Sequence, residues 1–383
     1  MIITSDIYSI RRIYRLNIYR YTDNTIMKLI KNIYRHIAMA AIALVSLSSC
    51  GMMTEEEPDC NPYYKVRFRF DMNMLYADAF STQVGEVDLY VFDTDGKLVW
   101  KGHEEGDILS QEGYMMDLPV APGNYDLVAW CHKRHENAAG FNLAGGDDPQ
   151  GFHHLKMRMA REYDADQAHS TTDLHALFHG KVSVELPETW GTHVVTVPLT
   201  KDTNSIRIML VHLSGKEISK DDFDFKITDD NGHLDHDNTI LDDEFVEYRA
   251  WSKREGMASM VLPVINSRSA SKSVTPLPDL TRAASTSPIH SLTAEMTTSR
   301  LQTCRKPMLT ITRKSDGEEV VNIPIIDYFM MVKGEYNRHM EDDEYLDRQD
   351  EYNMTFFMHD DGSWYKSVID ILSWRVVLQN TDL

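Results

Sequence analysis

The chain has 383 residues, 39 of them Lys or Arg and 59 Asp or Glu, for a net charge of −20, with 42% apolar residues and only four cysteines. So acidic a surface excludes nucleic acid as a partner and excludes electrostatic binding to an anionic membrane face. Four cysteines are too few for a disulfide-stapled scaffold.

In chain order, residues 1–26 alternate Tyr and Arg ahead of a pattern that is already complete from Met27, so Met27 is the expected true start. Lys28, Lys31 and Arg35 form a basic stretch, Ile37 to Leu47 an apolar one, and Leu47-Ser48-Ser49-Cys50 a run of small residues ending in cysteine. The order of charge, apolar run and small residues is that of an export signal; a membrane span needs roughly 20 apolar residues. A cysteine in this place resembles a bacterial lipobox, which implies that residues 1–49 are removed and that Cys50 becomes an acylated N-terminus. Seven basic and two acidic side chains go with the signal, so 32 and 57 remain and the net charge falls to −25. The lipid must then do the anchoring; two or three acyl chains suffice where one is marginal. Of the 383 residues 334 are left, which at about 150 per domain suggests two domains.

Residues 50–62 include Thr54-Glu55-Glu56-Glu57-Pro58-Asp59, too acidic and Pro-broken to pack, and read as a tether. Acidic residues behind a lipidated cysteine also resemble a surface-export signal; a plain linker is the alternative. From Lys65 onward the period is two, with Val66, Phe68 and Phe70 alternating against Lys65, Arg67 and Arg69. Val87 to Asp93, the Thr94-Asp95-Gly96 turn and Lys97 to Trp100 form a hairpin. Met115 to Val120 and Tyr125 to Cys131 flank Pro122-Gly123-Asn124, and Lys181 to Leu186 and His193 to Leu199 complete a first set of strands. A boundary falls near Thr200 to Asn204, giving domains at 63–202 and 203–383.

The second set comprises Ile206 to Leu210, Phe223 to Thr228 with the Asn231-Gly232 turn, Ser259 to Val264, Met308 to Arg313, Glu319 to Ile325, Asn353 to Met358 and Ile371 to Gln379. Asp316-Gly317 and Asp361-Gly362 mark hairpins. Residues 266–291 are rich in Ser, Thr, Pro and Ala and read as a long surface loop. Two short helices are expected, within Asp164 to His179 and within Asp327 to Glu351. Short antiparallel strands with few helices predict an all-β chain of two β-sandwiches in series.

Cys60 and Cys131 both flank strands of the first domain, so a bridge between them and a pair of free thiols are both open. Seven histidines lie between His132 and His179, none in the His-Glu-x-x-His arrangement of a zinc protease. His169, Asp173, His175 and His179 would converge on a metal only if that stretch were helical; solvated loop histidines are the simpler reading, and neither metal nor cofactor is assigned. No G-x-S-x-G elbow, phosphate-binding loop or dinucleotide fingerprint is present. Trp190, Trp251 and Trp364 suit sugar stacking or, more simply, packing.

Cys50 is followed by Tyr64 to Phe70, Asn73-Met-Leu-Tyr-Ala-Asp-Ala-Phe80, Val87 to Asp93 with Asp95-Gly96, and Pro122-Gly-Asn-Tyr-Asp-Leu-Val-Ala-Trp130. Asp202 to Arg207, Phe225 to Gly232, Thr297 to Leu301 and Ile371 to Val377 continue the series. This succession resembles the FimB-type fimbrial anchor lipoproteins of type V pili. The resemblance implies two transthyretin-like sandwiches, a non-catalytic protein attached to the outer membrane by lipid on Cys50, and a role as anchor and length limiter at the fimbrial base. It also implies a fimbrial stalk subunit as partner, captured by strand addition. The candidate strand is Ile371, Leu372, Trp374, Val376 and Val377 on to Leu383, and a core strand is the other reading of it. Related stalk subunits lose an N-terminal strand to an Arg-directed protease, which an anchor must avoid. A fimbrial tip adhesin or glycan-binding surface lipoprotein is the alternative function.

Overall fold

The computed structural model describes residues 26–33, 35–36, 61–133, 140–145, 149–212, 216–259, 288–358, 364–371 and 374–378. The chain divides at Cys60 into two units. In the first, residues 26–33 and 35–36 are helical and exposed, and no helix of the described residues is long and apolar enough to cross a membrane. The apolar run and Cys50 lie outside the described residues.

The second unit opens with β1 (Pro62–Arg69), β2 (Glu86–Phe92), β3 (Leu98–Glu105), β4 (Met116–Asp117) and β5 (Gly123–His132). Four short strands follow: β6 (Phe141–Leu143), β7 (Met157–Met159), β8 (Glu162–Asp164) and β9 (Gln167–Ser170). β10 (Leu177–Leu186), β11 (Gly191–Pro198) and β12 (Thr200–Lys201) return the chain. Next come β13 (Thr203–His212), β14 (Phe223–Asp229), β15 (His233–Leu234), β16 (Val246–Arg249), β17 (Ser252–Ser259) and β18 (Pro288–Ser299). β19 (Met308–Arg313) and β20 (Glu319–Pro324) lead into helices Ile325–Val332 and Asp342–Arg348, and β21 (Glu351–Met358), β22 (Trp364–Ile371) and β23 (Trp374–Leu378) end the fold.

The chain is all-β, and its two sandwiches follow from side-chain alternation. A sheet in the order β11-β1-β4 faces one in the order β12-β10-β5-β2-β3, and Val66, Phe68, Val87, Leu89, Leu127 and Val197 fill the space between them. The second sandwich sets β17-β18-β13-β21-β22-β23 against β20-β19-β14-β16-β9-β8 over Ile206, Ile208, Phe225, Ile311, Tyr352 and Phe356. Removing each such side chain from water contributes roughly 1.5–3 kcal/mol. The near-continuous apolar run of β2 has a separate cause. Val87, Leu89 and Val91 enter the first core, whereas Tyr90 and Phe92 point the other way and join the second. Both faces of this sheet are therefore covered. The turn expected at Thr94-Asp95-Gly96 forms with Gly96 at φ 74°, where a side chain is disfavoured, while the Asp93 carboxylate accepts the Asp95 and Lys97 amides.

The helix expected within Asp164 to His179 is absent. That stretch supplies β8, β9 and the start of β10, because β9 gains a parallel partner in Val246–Tyr248, and Leu177 and Phe178 fill opposite cores. Tertiary pairing overrides a weak local pattern here. Within Asp327 to Glu351 helices do form, and the first of them, Ile325–Val332, is a core element that buries Ile325, Ile326, Tyr328, Phe329 and Val332. β17 at Ser252–Ser259 was not expected; of the strand expected at Ser259 to Val264 all but Ser259 lies outside the described residues, as do residues 260–287 with most of the Ser/Thr-rich stretch. Asp202 alone separates β12, in the first sandwich, from β13, in the second. β8 and β9, upstream of that residue, nevertheless pair into the second sandwich, and a three-stranded sheet β15-β7-β6 joins residues from both sides of it.

Candidate functional site

Two elements bear on assembly, the first strand and the last. β1 runs parallel to β11 through eight matched residues, from Pro62 opposite Gly191 to Arg69 opposite Pro198, and pairs on its other side with β4 at Lys65 and Val66. Its ends are tied as well. The Leu118 amide donates to the Tyr64 carbonyl at 2.9 Å, and the Leu199 amide to the Arg69 carbonyl at 2.8 Å. The Tyr64 hydroxyl donates to the Pro187 carbonyl, Phe68 stacks on Phe80 at 5.7 Å, and Phe70 meets Phe178 edge-on at 4.9 Å. β1 thus lies between β11 and β4 and fills the middle position of its sheet. Between Cys50 and Tyr64 the sequence holds no Lys or Arg.

At the other end, β22 lies antiparallel to β21 and β23 antiparallel to β22, with Ile371 opposite Trp374. The single strand expected from Ile371 to Gln379 is therefore two: Ile371 closes β22, and Trp374, Val376 and Val377 belong to β23. Leu372 and Leu383 lie outside the described residues. β23 is the last strand of its sheet, so one side of its backbone has no ladder among the described residues.

The histidines are dispersed. His169 sits on β9 and His179 on β10, where its ring bonds the His236 carbonyl at 2.9 Å, packs edge-on against Trp130 and, through burial, titrates at about 4. Asp173 and His175 lie in the connection between β9 and β10, and among the described residues His169, Asp173, His175 and His179 are not gathered as one ligand group. Among the described residues two other groups bring ligand atoms within 4.8 Å of one another: Glu86 with Asp88 and His103, and Asp235 with His236 and Asp237. Reading the sequence found neither. Trp190 is two-thirds exposed, Trp251 donates to Thr297 at 3.2 Å, and Trp364 stands opposite Met358 in the backbone ladder. Cys131 is a buried free thiol whose pKa burial pushes up; Cys60 lies outside the described residues.

A family profile described as fimbrillin-A associated anchor proteins Mfa1 and Mfa2 matches residues 56–380. The chain belongs to this anchor family. Its fold agrees: a putative adhesin of Bacteroides thetaiotaomicron is 29% identical, superposes with a TM-score of 0.68, and is matched over 84% of this chain and 100% of its own. A putative polysaccharide binding protein of the same organism is 28% identical with a TM-score of 0.63, over 83% and 98%. The fimbrial anchor protein Mfa2 of Porphyromonas gingivalis shares the fold at 16% identity and a TM-score of 0.56, over 83% and 99%. No curated protein matches the chain. Membership of the Mfa2 family makes this a fimbria-associated structural protein of the cell surface that works with fimbrial subunits.

Proposed function

We propose that the protein is a FimB-type anchor: acylated on Cys50, held in the outer membrane, seated at the base of a fimbrium and limiting its length without catalysis. The observation that carries this reading is the pairing of β1 with β11 along its whole length, and with β4 at Lys65 and Val66, behind a linker with no basic residue. An Arg-directed protease finds no cleavage site between the lipid and the first strand, so the subunit keeps both its lipid and its closed sandwich. Growth of the fibre stops at such a subunit, because a strand arriving from a neighbour has no groove to enter. Attachment to the first stalk subunit then uses another surface, and the edge strand β23 with residues up to Leu383 offers its backbone for strand addition.

The test is an Arg-containing loop inserted between Pro58 and Asn61. In the presence of the protease this variant is released from the cell while the parent is retained. Cleavage of the unmodified protein before Lys65, with shedding, would overturn the anchor reading in favour of a polymerising or tip subunit.

A further inference from the structure

We propose that Glu86, Asp88 and His103 form a binding site for a divalent transition cation of the zinc class on the outward face of the first sandwich. The argument begins with the ladder. Glu86 and Asp88 are two apart on β2, so both side chains leave the same face of the sheet, and His103 on β3 stands directly across from Asp88. One ligand atom from each of the three lies within 4.8 Å of the others, a separation that a single metal ion can bridge. The His103 Nδ1 is already 3.1 Å from the Asp88 carboxylate. Two carboxylates and one imidazole suit a borderline cation better than calcium, which takes oxygen donors throughout. Such a set cancels both charges of the ion and leaves the remaining positions to water.

A backbone irregularity creates this grouping. In the β2–β3 hairpin Phe92 pairs with Leu98 but Val91 with Trp100, so a bulge leaves Val99 unmatched. An uninterrupted ladder would set Gly102 against Asp88 and turn His103 to the inner face, since a one-residue slip exchanges the faces of a strand. With the bulge, Trp100 lies over Gly102 on the core side and His103 joins the two carboxylates outside. Glu86 has a second imidazole across from it: His132 on β5 is its ladder partner, and both line a cavity of about 170 Å³ with Phe141 and His175. One competitor is present. The Lys101 ammonium lies 3.7 Å from Asp88, but it also sits 5.0 Å over the Tyr90 ring, which can keep it when a metal takes the carboxylate. Because β3 is the last strand of its sheet, a bound ion clips that edge to β2.

The test uses the full chain carrying Cys50→Ala, with accessible thiols blocked by iodoacetamide, titrated with zinc sulfate by calorimetry and followed by thermal unfolding. One equivalent binds, the Tm rises with zinc, and His103→Ala and Asp88→Asn each weaken binding at least tenfold, whereas Asp235→Asn in the other group leaves it unchanged. Both variants expose little new core, and far-UV circular dichroism confirms that they fold. Failure of zinc to bind, equal binding in the His103→Ala and Asp88→Asn variants, loss only in Asp235→Asn, or a preference for calcium at the same residues would each overturn the assignment.

Discussion

Asp202 carries the sharpest consequence at the scale of single residues. It is fully buried between the sandwiches, and its carboxyl is raised from 3.8 to about 7, first by burial and against the pull of Arg300 and the 2.8 Å bond from Asn238. Arg300 gives its charge mainly to Asp347, at 2.7 and 2.8 Å, and stands 3.8 Å from Asp202. A carboxyl that holds its proton to about 7 when folded but loses it near 3.8 when unfolded stabilises the fold at low pH, and that stabilisation is lost as pH rises through 7. Each unit of such a shift is about 1.4 kcal/mol, so the effect is of order a few kcal/mol. Asp202→Asn is expected to flatten the fall in Tm between about pH 4 and about pH 7 and to exceed the parent at and above the upper end. It does not abolish the fall, because Asp229, also raised to about 7, remains. An equally steep fall in the variant contradicts this account. A second residue-scale expectation concerns Gly180, where a Cβ would lie 2.5 Å from the Pro198 carbonyl, a backbone atom that cannot step aside. Gly180→Ala is expected to cost about 2–3 kcal/mol, measured by urea unfolding.

Elements differed in how far the sequence disclosed them. β1 and β13 were legible because one face is buried and the other wet, so Val66 and Phe68, or Ile206 and Ile208, mark every second position. The stretch around β8 and β9 was not. Its strands are short, and the partner of β9 is Val246–Tyr248, a parallel neighbour far along the chain that leaves no local imprint. The C-terminal pair of strands was half legible: the apolar run was recognised, but the sequence between Ile371 and Trp374 contains no Gly, Asn or Pro to mark two strands rather than one. The Glu86, Asp88 and His103 group escaped for a related reason. Counting outward from the Asp95-Gly96 turn puts His103 on the wrong face, and only the bulge at Val99 corrects it. At this scale, removing residues 379–383 is expected to weaken capture of the neighbouring stalk subunit in a pull-down while the protein stays in the membrane fraction. Undiminished capture would move the attachment surface away from β23. Helix Ile325–Val332 is a core element, and Phe329→Ala, which removes a ring stacked on Tyr352 at 3.6 Å, is expected to cost about 3–5 kcal/mol in equilibrium unfolding.

For the whole molecule, the two sandwiches share covered surface rather than hanging from a free linker. Tyr90, Phe92, Val128 and Trp130, on the outer face of the first sandwich, belong to the same apolar cluster as the core of the second. The three-stranded sheet β15-β7-β6 adds Phe141, Met157, Met159 and Leu234 to that cluster, and the Asp202 network lies where the chain crosses over. The acidic surface needs an anchor other than charge, which Cys50 supplies in this account. The most direct measurement compares fimbriae on cells carrying the parent gene with those on cells carrying Cys50→Ala, by electron microscopy and by fractionating cells from medium. The account expects the variant to fold yet leave the membrane fraction, with fimbriae longer than the parent's and shed into the medium. Fimbriae of unchanged length that stay on the cell, with the variant still in the membrane, would contradict it.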